Sequence, residues 1–181
     1  SQAERARLKT DALLIPFGAS WPMLRDAALR AEDAGYDGVW LWDHLRGGGE
    51  AGPAPVPECW TVLSALAAVT SRVMLGPLVL NAANRNPGVL ANMAATLQEV
   101  SGGRLMLGIG AGGSRATPYA AEQDAIGLPP GTDTERRTRV IDVIATLRRL
   151  WSGDPPGFLR PAPPPPIIVG GFGPQMAQVA G

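Results

Sequence analysis

The chain has 181 residues, enough for one substantial hydrophobic core. Its 16 basic residues balance 16 acidic ones, so bulk charge recruits neither nucleic acid nor an anionic membrane. No apolar run approaches the roughly 18 residues of a membrane span. Ser1 to Thr10 is polar, mixed in charge and reads as a lead-in. Asp11 to Pro16 is a short continuous apolar run, the mark of a strand buried on both faces. Ser20 stands where a helix cap belongs, and Trp21, Leu24, Ala28 and Ala31 fall three or four apart on one helical face. Gly35 ends that helix, and Val39 to Trp42 is the second strand.

The Gly- and Pro-rich stretch Arg46 to Pro57 is a loop at a strand end, where α/β folds carry function. Glu58 to Thr70, rich in Ala and Leu, predicts the second helix. It holds Cys59, the chain's one cysteine, which reads as a small buried hydrophobe; a lone cysteine excludes an internal disulfide framework and fits a reducing cytoplasm. Val73 to Leu80 is the third strand, where Pro77 removes a ladder donor and argues for a local irregularity. Asn86-Pro87 caps a helix whose stripe is Leu90, Ala94, Leu97 and Val100, and Ser101-Gly102-Gly103 stops it. Arg104 to Ile109 is the fourth strand. Thr132 and Glu135 have capping-box spacing, followed by the stripe Val140, Val143, Ile144, Leu147, Leu150 and Trp151, with Ser152-Gly153 closing it. The arginines between Glu135 and Arg139 read as a solvated helix face. The proline-rich Asp154 to Pro166 is extended, Ile167 to Val169 is a fifth strand, and a helix starts near Gln175.

Strand and helix alternating through short connections give an α/β chain with a parallel sheet and right-handed crossovers. A closed barrel of this kind needs eight strands and about 250 residues. One α/β domain over 1–181 with about five βα units is therefore expected, either an open sheet or an incomplete barrel, its open edge completed by further chain or covered by another chain.

Two strand ends bring chemistry together. Asp43-His44 follows the second strand and holds the only histidine; a neutral imidazole can donate or accept a proton near pH 7. Gly110, Ala111 and Gly112 end the fourth strand in small residues, which let backbone approach a flat ligand or make a tight turn. Asn81, after the third strand, is either a ligand-binding amide or a turn asparagine. Gly170, Gly171, Phe172 and Gly173 precede a helix N-terminus, which favours phosphate. One His and one Cys without spaced partners do not make a zinc site, and neither a Gly-x-x-x-x-Gly-Lys phosphate loop nor a Gly-x-Ser-x-Gly elbow is present.

The blocks Gly35-Tyr36-Asp37-Gly38-Val39-Trp40-Leu41-Trp42-Asp43-His44, Thr70 to Leu80 with Arg85-Asn86-Pro87, Ser101-Gly102-Gly103-Arg104 with Leu107 to Gly112, Leu150 to Gly153 and Pro165 to Gly171 come in the order seen in the bacterial luciferase-like monooxygenase superfamily. The chain resembles that superfamily from Asp11 to Gly181, and its F420-dependent branch most. The resemblance implies a TIM (β/α)8 barrel, often homodimeric in the family, with coenzyme F420 as cofactor and FMN as the alternative. It implies a cis non-proline peptide at Leu78-Val79 against the cofactor, with Asp43, Leu78, Val79, Asn81, Gly110, Ala111, Gly112, Gly170, Gly171, Phe172 and Gly173 as cofactor-binding positions. His44 and Asp43 are the catalytic candidates: His44 handles the substrate proton, and Asp43 orients it, binds the cofactor or caps the loop. The implied activity is an oxidoreductase moving hydride between deazaflavin C5 and a small organic substrate. The rivals are an FMN-dependent monooxygenase and a non-catalytic half-barrel module. Gln98-Glu99 stands where family members carry Leu-Asp, and the barrel half that helps to hold the cofactor phosphate lies beyond the sequence. Substrate choice is expected in the loops Arg46 to Pro57 and Ser114 to Gly131.

Overall fold

The computed structural model describes residues 8–48, 52–171 and 174–180. Most of the lead-in and the positions Phe172 and Gly173 lie outside them, as does the middle of the loop expected over Arg46 to Pro57. In chain order the elements are β1 (Asp11–Leu14), α1 (Trp21–Asp33), β2 (Gly38–Leu41), β3 (Arg46–Gly47), β4 (Ala54–Pro55), α2 (Cys59–Val69) and β5 (Met74–Pro77). They continue with β6 (Leu80–Asn81), α3 (Pro87–Val100), β7 (Leu107–Gly110), α4 (Ala120–Ala125), α5 (Asp133–Ser152), β8 (Ile167–Gly170) and α6 (Pro174–Ala180).

β1, β2 and β5 pair in parallel, and so do β6, β7 and β8. β5 and β6 are two halves of the expected third strand, separated by Leu78-Val79, whose peptide bond is cis as the resemblance implies. The lower half pairs with β2 and, through Leu75, bonds Arg104 and Met106 just before β7, while the upper half pairs with β7 itself. Five barrel strands result, each followed by a helix, which is the incomplete α/β barrel expected.

One face of the sheet is buried under the helices. Val39, Leu41, Leu75, Leu107 and Ile109 are sealed there against Leu63, Leu66, Leu90, Ala94, Val143 and Leu147. The α5 stripe is buried at every position its period names. Residues of the other register point toward what would be the barrel lumen, and this face is open: Leu13 is 41% and Ile168 39% exposed. In α3 the buried stripe turns slightly from expectation. Val100 is exposed and Gln98 is buried in its place. Gln98 earns the position by bonding: its Oε1 accepts from Leu105 N at 3.0 Å and its Nε2 donates to the Pro163 carbonyl at 2.9 Å. An apolar residue there would leave both backbone groups unpaired.

Caps follow the sequence closely. Asn86 accepts from Gly88 N and Val89 N, Thr132 and Glu135 form the full capping box, and Gly153 closes α5 in the left-handed conformation at φ 94°. Ser20 occupies the N-cap of α1, but its side chain makes no cap bond. Two short features fall in stretches read as loops. β3 and β4 make a small antiparallel pair within Arg46 to Pro57, and α4 forms within Ser114 to Gly131. The Ser-Gly-Gly-Arg block is structural. The Arg104 guanidinium donates to the Ser101, Ala67, Thr70 and Val73 carbonyls and to Thr70 Oγ1, tying the end of α2 to the starts of β5 and β7.

Candidate active site at the strand ends

The C-terminal ends of β2, β6, β7 and β8 surround an open cavity of about 700 Å³, within the range of small-molecule sites. Its lining includes Asp43, His44, Leu78, Val79, Asn81, Gly110, Ala111, Gly112, Gly170 and Gly171. Every cofactor or catalytic position foreseen in the described residues is thus brought to one place. Among the described residues no helix is long and apolar enough to cross a membrane.

Asp43 is committed to the scaffold. Its side chain is buried, and its carboxylate accepts from Asn81 N at 2.8 Å and from both Arg85 Nη atoms at 2.8 and 3.0 Å. Arg85 also bonds the Glu58 carboxylate, which caps α2 by accepting from Trp60 N and Thr61 N. Burial disfavours the charge on Arg85, but its bonds to Asp43 and the nearby Glu58 outweigh that and hold it protonated. Cys59 is fully buried, as expected, and burial pushes its thiol up.

His44 does not face Asp43. Its Nδ1 lies 3.3 Å from Oε2 of Glu122, an ion-pair distance without the alignment of a good hydrogen bond. Its ring stacks on Tyr119 with centroids 4.3 Å apart, while Phe17 and Trp42 meet it at steeper angles. Burial would raise the Glu122 carboxyl. The contact with His44 and the N–H groups of Arg46 and Leu45 outweigh it and hold the group below the ordinary glutamate range. Sequence reasoning missed Glu122 and Tyr119. The one available signal was an acid inside a short Ala-rich run between Pro118 and Gly127.

The glycines serve a neighbour as well as the cavity. A Cβ at Gly110 would stand 2.5 Å from Val79 Cγ2, and one at Gly170 2.7 Å from Val79 Cγ1. Gly112, at φ 72°, sits against the Asn81 amide. The small residues therefore make room for Val79 and Asn81 at the interrupted third strand. Asn81 Oδ1 also accepts from Ala83 N at 2.9 Å, so it is a turn asparagine that also lines the cavity.

The reading of residues 135–139 as a solvated face needs correction at two positions. Arg136 and Arg137 line the cavity. Arg136 clamps the loop after β7 by donating to the Ala111 and Gly112 carbonyls at 3.3 and 2.7 Å, and pairs with Asp133. Arg137 is bonded to Thr134 Oγ1 and reaches the cavity rim. The helix turn that follows the capping box aims these side chains back at the strand ends.

Three carboxylates bear on stability. Burial raises Glu32 and Glu58, but for Glu32 the N–H groups of Val73, Arg72 and Ser71 outweigh it, and for Glu58 the bonds from Thr61 and Trp60 and the charge of Arg85 do. With Glu122, all three lie below the ordinary value near 4.5. A lowered carboxyl stabilises the fold above that value, and the contribution is lost as pH falls through the lowered one. The urea midpoint is therefore expected to fall as pH drops below about 4.5. An unchanged midpoint between pH 5 and pH 3 would show that these bonds contribute nothing.

Residues 4–181 match the luciferase-like monooxygenase family. An F420-dependent glucose-6-phosphate dehydrogenase of Nakamurella multipartita is 36% identical over 183 aligned positions, taking in 91% of this chain and 50% of that protein. An F420-dependent hydroxymycolic acid dehydrogenase of Mycobacterium tuberculosis is 34% identical, over 85% of this chain and 45% of that protein. Among solved structures, an F420-dependent secondary alcohol dehydrogenase in complex with an F420-acetone adduct superposes with a TM-score of 0.82 at 24% identity, over 96% of this chain and 56% of that one. The tetrahydromethanopterin reductase of Methanopyrus kandleri gives 0.75 at 25%, over 97% and 53%. The chain thus spans about half the length of the relatives it matches. With its family blocks in order and its five βα units superposing on barrels of the same kind, the chain belongs to the luciferase-like monooxygenase family.

Proposed function

We propose that this chain carries the cofactor-facing part of an F420-dependent oxidoreductase that moves hydride between the deazaflavin C5 and a small organic substrate. The observation that carries the reading is the cavity of about 700 Å³ at the strand ends, with His44 in its wall. The names of the matched relatives point the same way. The residues present fit the group. Leu78 and Val79 offer apolar side chains, Gly110 to Gly112 and Gly170 to Gly171 let backbone come close to a ligand, and Arg137 offers a cation to the cofactor's phosphate. When bound, the deazaflavin supplies the hydride chemistry.

The protein does the rest. Trp42, Tyr119 and Leu78 line the cavity and give a bound ligand apolar surface to pack on. Arg136 fixes the loop after β7 against the cavity. His44 Nε2 takes or returns the substrate proton, so no free hydronium or hydroxide is needed. Asp43 acts through Asn81 and Arg85, setting where the third strand's upper half lies. His44→Ala is expected to lower turnover by about 10²-fold or more while leaving F420 affinity nearly unchanged. Both are measured with F420 and a panel of small alcohols and phosphorylated sugars. Unchanged turnover in that variant would sink the role given to His44.

A further inference from the structure

Glu122 stands 78 positions from His44 in sequence, yet it is the acid that meets the imidazole. Its carboxylate is 5% exposed and is anchored by Arg46 N, which donates to Oε2 at 3.1 Å. The next residue, Gln123, donates to Asn84 Oδ1 at 2.8 Å. α4 is thus pinned to the loops after both the second and third strands, and Glu122 has little freedom to move.

The imidazole is equally constrained. Tyr119 stacks on it at 24°, and Phe17 and Trp42 crowd it with interplanar angles of 65° and 86°. These rings fix its plane. Nδ1 is sealed from solvent with Glu122 as its polar neighbour, while His44 itself lines the cavity. A neutral imidazole carries one N–H, and its place is set by the bond the other edge makes. A carboxylate can only accept, so an Nδ1–H is attracted to Glu122 and an Nδ1 lone pair is repelled. The cavity edge is then left with the Nε2 lone pair.

We propose that Glu122 is a positioning residue that holds His44 in its Nδ1–H form, so that Nε2 is presented to the substrate as the proton acceptor. Its use in turnover rests on the proposed oxidoreductase function; the tautomer itself does not.

The test is ¹⁵N NMR of the ring in the full chain without cofactor. His44 is the only histidine, so one pair of ring nitrogens reports it. In the neutral form Nδ1–H is expected to outnumber Nε2–H, because the carboxylate 3.3 Å away attracts an Nδ1–H and repels an Nδ1 lone pair. Glu122→Ala is expected to bring the ratio of Nδ1–H to Nε2–H to about one or below, and Glu122→Gln, whose amide oxygen still accepts, to restore part of it. A wild-type ring that is mainly Nε2–H overturns the proposal, and so does a folded Glu122→Ala chain with an unchanged ratio. Should Glu122→Ala fail to fold, the wild-type spectrum and Glu122→Gln decide. Failure to bind F420 would leave this result standing and remove only the proposed reaction. An Nε2–H ring with intact F420 binding would remove only the role of Glu122.

Discussion

Arg85→Ala is expected to destabilise the fold by about 3–5 kcal/mol, among the largest effects of any single substitution here. The Asp43 side chain is buried, and Arg85 supplies two of the three bonds that satisfy it. Removing the guanidinium leaves a buried carboxylate with the Asn81 N–H alone, and it also takes the cationic partner from Glu58 at the start of α2. Arg85→Lys keeps a charge but cannot make the fork to Asp43, so it is expected to fall between wild type and alanine. Urea denaturation of the three chains measures this. A loss under about 1 kcal/mol for Arg85→Ala would mean that solvent reaches Asp43, contrary to the burial seen.

Gly110→Ala is the second. The added Cβ would lie 2.5 Å from Val79 Cγ2, with the Gly170 carbonyl 3.3 Å away, so Val79 or the backbone beside it must shift. A cost of about 1–3 kcal/mol is expected. Val79→Ala alone costs about 1–2 kcal/mol in lost burial. Combined, the two are expected to cost clearly less than their sum, because the shortened side chain clears the space the new methyl needs. If the glycine existed only to admit a ligand, Gly110→Ala would leave the stability of the free chain unchanged and weaken cofactor binding alone. The double-mutant cycle separates these outcomes.

The parts of the fold set by local chemistry were legible. The α5 stripe, the Asn86 cap and the Thr132–Glu135 box each depend on residues within a few positions of one another, so spacing alone reveals them. The irregularity beside Pro77 was also visible, because a residue without an N–H cannot continue a ladder. What the sequence hid depends on distant partners. Arg46 and Glu122 are 76 positions apart, and no periodicity links them. α4 has six residues, too few for a helical stripe to show. Gln98 was noted only as a departure from the family pattern; its burial follows from two backbone groups that other elements bring to it. The glycines after the fourth strand were read for the cavity they line. Their second partner, Val79, became visible only once the third strand's course was known.

The same division runs through the candidate site. Its location came from strand ends, and His44 from being the only residue of its kind. The pairings inside it came from the fold: Asp43 with Arg85, and His44 with Glu122 and Tyr119.

Fluorescence titration of the full chain with F420 and with FMN tests the proposed function most directly. The expected result is saturable binding of F420 at least about tenfold tighter than FMN, a difference of about 1.4 kcal/mol, weakened when Arg137 is replaced by alanine. A folded chain that binds neither cofactor, or that prefers FMN, would contradict it.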